Sequence, residues 1–363
     1  MNTLITANFD PDSIDRLERD LGLSVTYSPI GEREARYPPD EMRELVENVS
    51  ILVVGYEGVS AAVMNAAESL RIIACPRGGP EANVDIEAAT ERGIPVLYAP
   101  GRNAVSVADF TMGLLLGVAR QVPQAHRSLH EGVYTGEPQA DSAGGGGERE
   151  DVTWGIAAGS PYMAFKGPEL DGKVLGIVGL GAIGRLVAKR AAGFDMEVLA
   201  YDPFVDSDTM AEYDARKVDL DPLLEGSDFV TLHSPVTEET RGMIGEAEFA
   251  RMPESAFFIN TARAALTDQA ALVDELESGG LRGAAFDVYA GEPLPADHPL
   301  LSLSNVVTTP HIAGAAEEVP ARGATMVTDG IEALFDGREP AHVANEAVLS
   351  DGSEFEALAG GGS

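Results

Sequence analysis

Residues Val174–Asp202, VLGIVGLGAIGRLVAKRAAGFDMEVLAYD, constrain the fold more than any other stretch of the chain. The apolar run Val174–Val178 has the length and composition of a buried parallel strand. Gly179-Leu180-Gly181-Ala182-Ile183-Gly184 follows as G-x-G-x-x-G. Ile183, Leu186, Val187 and Ala191 then fall on one face at helical spacing, and Glu197–Tyr201 reads as the next strand. Each glycine has its own physical task. Gly179 permits the tight turn, Gly181 lets a pyrophosphate approach the backbone, and Gly184 lets the helix pack close to the strand. The N–H groups at the helix start, those of Ala182 and Ile183 included, face the phosphates. Asp202 stands 21 residues beyond Gly181, at the end of the second strand. A carboxylate there accepts the ribose hydroxyls and repels a 2′-phosphate, which predicts NAD rather than NADP. An isolated GxGxxG is an ordinary glycine-rich turn; the flanking strand, helix, strand and acid make this one specific.

A chain of 363 residues has room for two domains. Residues 1–103 alternate short apolar runs (Thr3–Ala7, Val25–Tyr27, Ile51–Gly55, Ile72–Cys75, Val96–Tyr98) with helical patterns starting near Asp12, Pro39, Ser60 and Asp85. That order predicts a small parallel α/β domain. Arg77-Gly78-Gly79-Pro80 directly follows one of its strands, where open α/β sheets bind ligands, and is read as a seat for a substrate carboxylate. Asn103 is placed to cap a long helix, Ala104 to about Gln121, with a broad apolar face. Residues 131–168 lack periodicity; Asp141–Glu150 (DSAGGGGERE) is flexible by composition, and Trp154, Tyr162 and Phe165 are expected to fold part of the segment back. Strands at Val174–Val178, Val198–Tyr201, Phe229–His233, Ala256–Asn260, Ala284–Asp287 and Val306–Thr308 complete a doubly wound domain. A helical pattern at Glu317–Phe335 is left over and is expected to return to the first domain. The acidic, Gly/Ser-rich tail 349–363 reads as disordered.

Charge narrows the setting. There are 59 acidic against 25 basic residues, a net charge of −34, and only four lysines (Lys166, Lys173, Lys189, Lys217). The acids are spread along the chain. Self-repulsion of that size opposes compaction in dilute buffer. Molar salt shortens the Debye length to roughly 3 Å and removes most of it. The composition therefore points to a halophilic protein, and its field repels nucleic acid and anionic membranes. Cys75 is the single cysteine, so no internal disulfide forms and a reducing compartment is expected. At the end of an apolar run it reads as a buried small hydrophobe. The start, MNTLITANFDPDS, lacks the basic and long apolar regions of a signal peptide, and the longest apolar run, Met112–Ala119, is too short to span a bilayer. A cytoplasmic location is expected, and no metal.

Three segments sit at the carboxyl ends of late strands: Asn260-Thr261-Ala262-Arg263, Asp287-Val288-Tyr289-Ala290-Gly291-Glu292-Pro293, and Thr309-Pro310-His311-Ile312-Ala313-Gly314. They supply an arginine, a carboxylate and a histidine, the set needed for hydride transfer at a 2-hydroxy acid. The histidine exchanges the hydroxyl proton. The carboxylate fixes its tautomer and favours its protonated form. The arginine holds the substrate carboxylate and polarises the 2-oxo group.

Through LGIVGLGAIG…VLAYD, HSPVTEETRGMI, INTARAALTD, FDVYAGEPLP and TPHIAG, in that order, the chain resembles the D-isomer-specific 2-hydroxyacid dehydrogenases to about Val348. The resemblance implies a Rossmann, doubly wound parallel-sheet NAD domain (104–311, with a flexible insertion at 136–160) inserted into a discontinuous flavodoxin-like substrate domain (1–103 and 312–348). It implies an oxidoreductase with NAD as cofactor and a small 2-oxo or 2-hydroxy acid as substrate. It also implies a homodimer through the helix at 104–121. Arg263, Glu292 and His311 match the family's catalytic three, and Asp202 its ribose-binding acid. Asp287 matches the residue near the nicotinamide amide. Thr261, Ala262, Gly314 and the turn His233–Pro235 match positions lining the cofactor, with Arg77, Gly78 and Gly79 on the substrate side. Three departures stand out. Ala264 replaces the usual glycine after the arginine, the loop Arg77–Asp85 lacks the commoner spaced glycines, and the insertion 136–160 is long.

Within the family, formate dehydrogenases carry glutamine where Glu292 stands and are set aside. Tyr201-Asp202-Pro203-Phe204 disfavours the NADP-dependent glyoxylate or hydroxypyruvate reductases, which carry Arg or Ser/Thr groups there. A short-form phosphoglycerate dehydrogenase of serine biosynthesis is the alternative, although a phosphorylated substrate wants cations beyond Arg77 and Arg102. An NAD(H)-sensing corepressor is a further alternative, which the acidic surface disfavours.

Overall fold

The computed structural model describes residues 1–136 and 159–349. The readings made above for Asp141–Glu150, Trp154 and the tail beyond Leu349 lie outside the described residues. The chain divides into two compact units, Met1–Asn103 with Ala316–Ser363, and Ala104–Ala315.

The first unit is built on five strands: β1 (Asn2–Ile5), β2 (Ser24–Tyr27), β3 (Ile51–Val53), β4 (Ile72–Cys75) and β5 (Val96–Tyr98). All pair in parallel, in the order β2-β1-β3-β4-β5. This is the flavodoxin-like winding, whose strand order reverses between β1 and β3. Helices cover both faces, so β3 and β4 are buried along their whole length and read as unbroken apolar runs. One face packs on Met42, Val63, Met64 and Ala88, the other on Leu17, Ala324, Val327 and Ile331. Asp10 and Asp85 cap their helices, accepting from the Ser13 and Ala88 amides at 2.9 and 3.0 Å. The helix Glu318–Phe335 packs on β4, β5 and the helix Pro11–Arg19. Beyond it, buried Asn345 accepts from the Val96 amide at 2.8 Å and donates to the Ile94 carbonyl at 2.9 Å. That amide pins the following segment to β5.

The second unit carries seven strands: β6 (Val174–Val178), β7 (Glu197–Tyr201), β8 (Ala215–Lys217), β9 (Phe229–Leu232), β10 (Phe257–Asn260), β11 (Gly283–Phe286) and β12 (Val306–Thr308). Their order, β12-β11-β10-β9-β6-β7-β8, is that of a dinucleotide-binding sheet with one strand added, and every pairing is parallel. The fold class is thus α/β, with a Rossmann doubly wound sheet in one unit and a flavodoxin-like sheet in the other. Six of the seven strands are those expected from apolar runs. β8 was not expected: Ala-Arg-Lys carries no apolar signal, and as an edge strand with two exposed cations it needs none.

The helix Ala104–Ala119 is buried over most of its surface against β10, β11, β12 and the helix Ala182–Ala192. It ends two residues earlier than the apolar pattern suggests. Gln121 turns left-handed (φ 53°), and a second helix, Val122–His130, starts with Pro123 in its first turn. Among the described residues no single helix is long and apolar enough to cross a membrane.

Candidate active site

The glycine turn after β6 is closed to side chains at two of its glycines and open at the third. A Cβ on Gly179 (φ 95°) would stand 2.8 Å from the His233 carbonyl carbon, and one on Gly184 would stand 2.2 Å from the Gly179 carbonyl oxygen. Those two positions are closed to any side chain. At Gly181, by contrast, nothing lies within 4 Å of the Cβ position. The helix Ala182–Ala192 begins there with no side-chain cap, which leaves its first N–H groups to a ligand. Gly181 and Ala182 are exposed and Ile183 half-buried. Open space at the middle glycine and an uncapped helix start fit a dinucleotide pyrophosphate.

Asp202 directly follows β7 and is tied down by backbone. Its Oδ2 accepts from the Leu180 amide and its Oδ1 from the Phe204 amide, both at 2.9 Å. A carboxylate has about four acceptor sites, so each oxygen keeps one for a ribose hydroxyl. The His233–Pro235 turn follows β9, and the His233 amide donates to Val178 on β6 at 2.8 Å. His233 is buried; its Nε2 lies 3.1 Å from the Thr231 hydroxyl and its Nδ1 has no partner. Pro235 is exposed.

At the end of β10, Asn260 shapes the arginine loop. Its Oδ1 accepts from the Ala262 amide at 3.0 Å, and its Nδ2 donates to the Arg263 carbonyl at 3.0 Å. Thr261 is buried with its hydroxyl 2.8 Å from that of Thr111. Arg263 itself is exposed, and one Nη donates to the Ala262 carbonyl at 2.7 Å.

His311 occupies a left-handed backbone conformation (φ 56°), uncommon for a residue with a Cβ. The turn is held open from below by Asp287. This wholly buried carboxylate accepts from the Thr309 hydroxyl at 2.6 Å, the Ile312 amide at 2.8 Å and the Ala313 amide at 2.7 Å. Gly314 follows directly. The His311 Nδ1 lies 2.7 Å from Glu292 Oε2, and the Tyr289 amide donates to Glu292 Oε1 at 3.0 Å. Burial opposes ionisation of Glu292. The His311 ring, the Tyr289 amide and the Arg263 charge together outweigh it and hold the carboxyl below its ordinary range. An ionised Glu292 accepts, so the proton sits on Nδ1 and leaves Nε2 as the exchangeable nitrogen. The His311 and Glu292 side chains keep 45% and 37% of their surface in solvent, open to a substrate.

Arg263, Glu292 and His311 are therefore drawn together within the second unit, whereas Arg77, Gly78 and Gly79 lie in the first. Gly79 there adopts φ 65°, and Arg77 donates to the Gly79 carbonyl at 3.2 Å. Sequence reasoning passed over Asn260, Thr309 and Tyr289 as supports. Asn260 carried a usable signal: an Asn at a strand end tends to accept from the amide two residues on. Tyr289, whose hydroxyl donates to Thr309 at 2.9 Å, carried none.

An exposed imidazole–carboxylate pair beside an arginine, on a doubly wound sheet with an open glycine turn, defines a dinucleotide-binding protein equipped for acid/base chemistry. Residues 158–313 match the family model for the D-isomer specific 2-hydroxyacid dehydrogenase, NAD binding domain. The chain is 38% identical to a glyoxylate reductase of Korarchaeum cryptofilum over 315 residues, 86% of this chain and 88% of that one. It is 36% identical to a D-3-phosphoglycerate dehydrogenase of Archaeoglobus fulgidus over 356 residues, 98% of this chain. Against the first two phosphoglycerate dehydrogenases it matches, the chain spans 61% and 53% of their length. The crystal structure of the TT0316 protein from Thermus thermophilus superimposes with a TM-score of 0.75 at 34% identity, covering 95% of this chain and all of that one. The chain belongs to the D-isomer-specific 2-hydroxyacid dehydrogenase family.

Burial pushes the His233 imidazole down to about 3, so it stays neutral in the folded protein. In the unfolded chain it protonates near 6.5. Below that pH the unfolded state binds the extra proton, and stability falls as pH drops toward 3, by up to about 1.4 kcal/mol per pH unit. His233→Gln removes this contribution. Denaturant titrations at constant ionic strength should show the variant losing less stability than wild type between pH 6.5 and 4, by up to about 3 kcal/mol. Parallel curves would mean that His233 is not held neutral.

Proposed function

We propose that the protein is an NAD-dependent oxidoreductase that interconverts a small 2-oxo acid and the corresponding D-2-hydroxy acid. The observation that carries this reading is the 2.7 Å contact between His311 Nδ1 and Glu292 Oε2, with the Arg263 charge acting on the same carboxylate. The bound cofactor supplies or accepts the hydride at C2. In the reducing direction His311 Nε2 hands its proton to the carbonyl oxygen, and Glu292 stabilises the ring through Nδ1 in both protonation states. Arg263 pairs with the substrate carboxylate and polarises the oxo group. The open turn at Gly181 takes the pyrophosphate and Asp202 the ribose hydroxyls, while Asp287, buried beneath the His311 turn, matches the residue that the family places near the nicotinamide amide.

The remaining proposals rest on composition and on the family. Residues 1–103 and 312–348 form the substrate domain and 104–311 the nucleotide domain. Two chains associate through the helix Ala104–Ala119, beside which Val105, Val122, Leu129 and Val133 are exposed. With a net charge of −34 the enzyme works in the cytoplasm of a halophile, where molar salt screens its self-repulsion.

In molar KCl, a panel of 2-oxo acids monitored by NADH oxidation at 340 nm should reveal turnover of at least one acid. His311→Gln should lower its kcat by roughly 10²–10⁴-fold while NADH still binds. Near-normal turnover in the variant would remove His311 as the acid/base group. For the cofactor, Asp202→Ala should narrow the preference in kcat/KM for NADH over NADPH by about tenfold or more, the worth of a charged hydrogen bond to the ribose. An unchanged ratio would refute the ribose assignment.

A further inference from the structure

The amino ends of β10, β11 and β12 open onto a cavity of about 330 Å³ that lies wholly within the second unit. Phe257 is the first residue of β10, Arg282 directly precedes β11 and Asn305 directly precedes β12. Val118, from the end of the helix Ala104–Ala119, also lines it, as do Gln124 and Ser128 from the helix Val122–His130. Phe165 completes the lining, and the chain that carries it runs close to the first helix: a Cβ on Gly167 would collide with the Ala119 carbonyl. The glycine turn, Arg263 and His311 all lie at the carboxyl ends of the same sheet. β10 and β11 have four residues each, about 13 Å of extended chain, so the cavity is separate from the site described above.

Two of its groups lack the partners that their chemistry calls for. Gln124 Nε2 donates to the Ser304 carbonyl at 3.3 Å, a contact only the nitrogen can make, so the other amide atom is the oxygen. That Oε1 is buried and accepts nothing. A buried acceptor is destabilising unless a donor reaches it. The Arg282 guanidinium lies 5.5 Å from the Phe257 ring centroid and, among the described residues, has no carboxylate within 4 Å and no acceptor for its N–H groups. Its backbone is fixed, with the amide donating to the Ala256 carbonyl at 3.0 Å and the carbonyl accepting from Asn305 Nδ2 at 3.5 Å. The cation is therefore rooted at the cavity with its fork uncommitted.

Charge and shape narrow what fits. The chain carries 59 acidic residues, yet among the described residues no aspartate or glutamate lines this cavity, and Arg282 is the charged group that does. Val118, Phe257 and Phe165 supply apolar surface, two of them as aromatic rings. A ligand that answers all of these features has an anionic group for Arg282, an N–H or O–H donor for Gln124 and a flat apolar body for the rings. A sugar phosphate lacks the apolar body. A fatty acid lacks the donor, and its chain is too long for a cavity near the lower limit of small-molecule sites, which run from about 300 to 1,000 Å³.

We propose that this cavity binds a small aromatic carboxylate bearing a hydroxyl or amine donor, at a second site apart from those for dinucleotide and substrate. The Arg282 fork pairs with the carboxylate, the Gln124 oxygen accepts from the donor, and the ring packs against Phe165 and Phe257. The proposal needs only the second unit and stands independently of the reaction the enzyme performs.

Calorimetric titrations of the full chain at one fixed KCl concentration test it, with 4-hydroxybenzoate as the probe. Benzoate, which lacks the donor, and phenol, which lacks the carboxylate, serve as comparisons. 4-Hydroxybenzoate should bind at least about tenfold more tightly than either. Arg282→Gln should abolish its advantage over phenol, and Gln124→Leu its advantage over benzoate. Arg282 is exposed, so its variant keeps the test valid if Gln124→Leu misfolds. Saturating NADH should leave the affinity of the probe unchanged. Absence of saturable binding, equal affinities for the three compounds, or an advantage that survives its substitution would overturn the site. Displacement of the probe by NADH would put it in the nucleotide site and overturn the proposal as well.

Discussion

The buried Asp287 carboxylate sets the geometry on which the site depends. A carboxylate removed from water is costly unless its lone pairs are satisfied. Here the Thr309 hydroxyl and the Ile312 and Ala313 amides satisfy it, and all three donors belong to the turn that carries His311. Charge-assisted hydrogen bonds of this kind are stronger than neutral ones. They offset the left-handed backbone that His311 must adopt. The outcome is an imidazole whose backbone is fixed while its ring stays in solvent within 2.7 Å of Glu292.

The same economy of placement runs through the second unit. Close packing forces glycine at 179 and 184, where neighbouring backbone leaves no room for a side chain. At Gly181, between them, nothing stands within 4 Å of the position a Cβ would take. Asp202 braces this turn through the Leu180 amide, so the acid proposed for the ribose also shapes the glycine loop. In the first unit Asn83 ties the loops after β3 and β4 together, and Gly323 packs against Pro76 and Arg102.

Much of this was readable in the sequence because it is written in local chemistry. The glycine turn, the strand ends and the segments bearing Arg263, Glu292 and His311 are contiguous stretches whose period and composition carry the signal. Edge strand β8 was not readable, since an exposed three-residue strand has no apolar period to betray it. Nor was the break at Gln121, which falls inside a polar stretch that suits either one helix or two. The tertiary supports were harder still. Asp287 stood out as a carboxylate beside the site, but its grip on residues 309–313 depends on the adjacency of β11 and β12. Arg36 and Arg77 meet at the Tyr56 ring from distant positions, so only the fold brings them together.

The central claim is that His311 and its supports serve hydride transfer to C2 with one stereochemical outcome. Its most direct test is isotopic. The protein would be incubated in molar KCl with NADH bearing deuterium at one or the other face of C4, together with an accepted 2-oxo acid, and the product examined by mass spectrometry and chiral chromatography. The account predicts deuterium at C2 from only one of the two labelled cofactors, in a product of D configuration. An L product, a racemate, or a product without deuterium at C2 from either cofactor would contradict it.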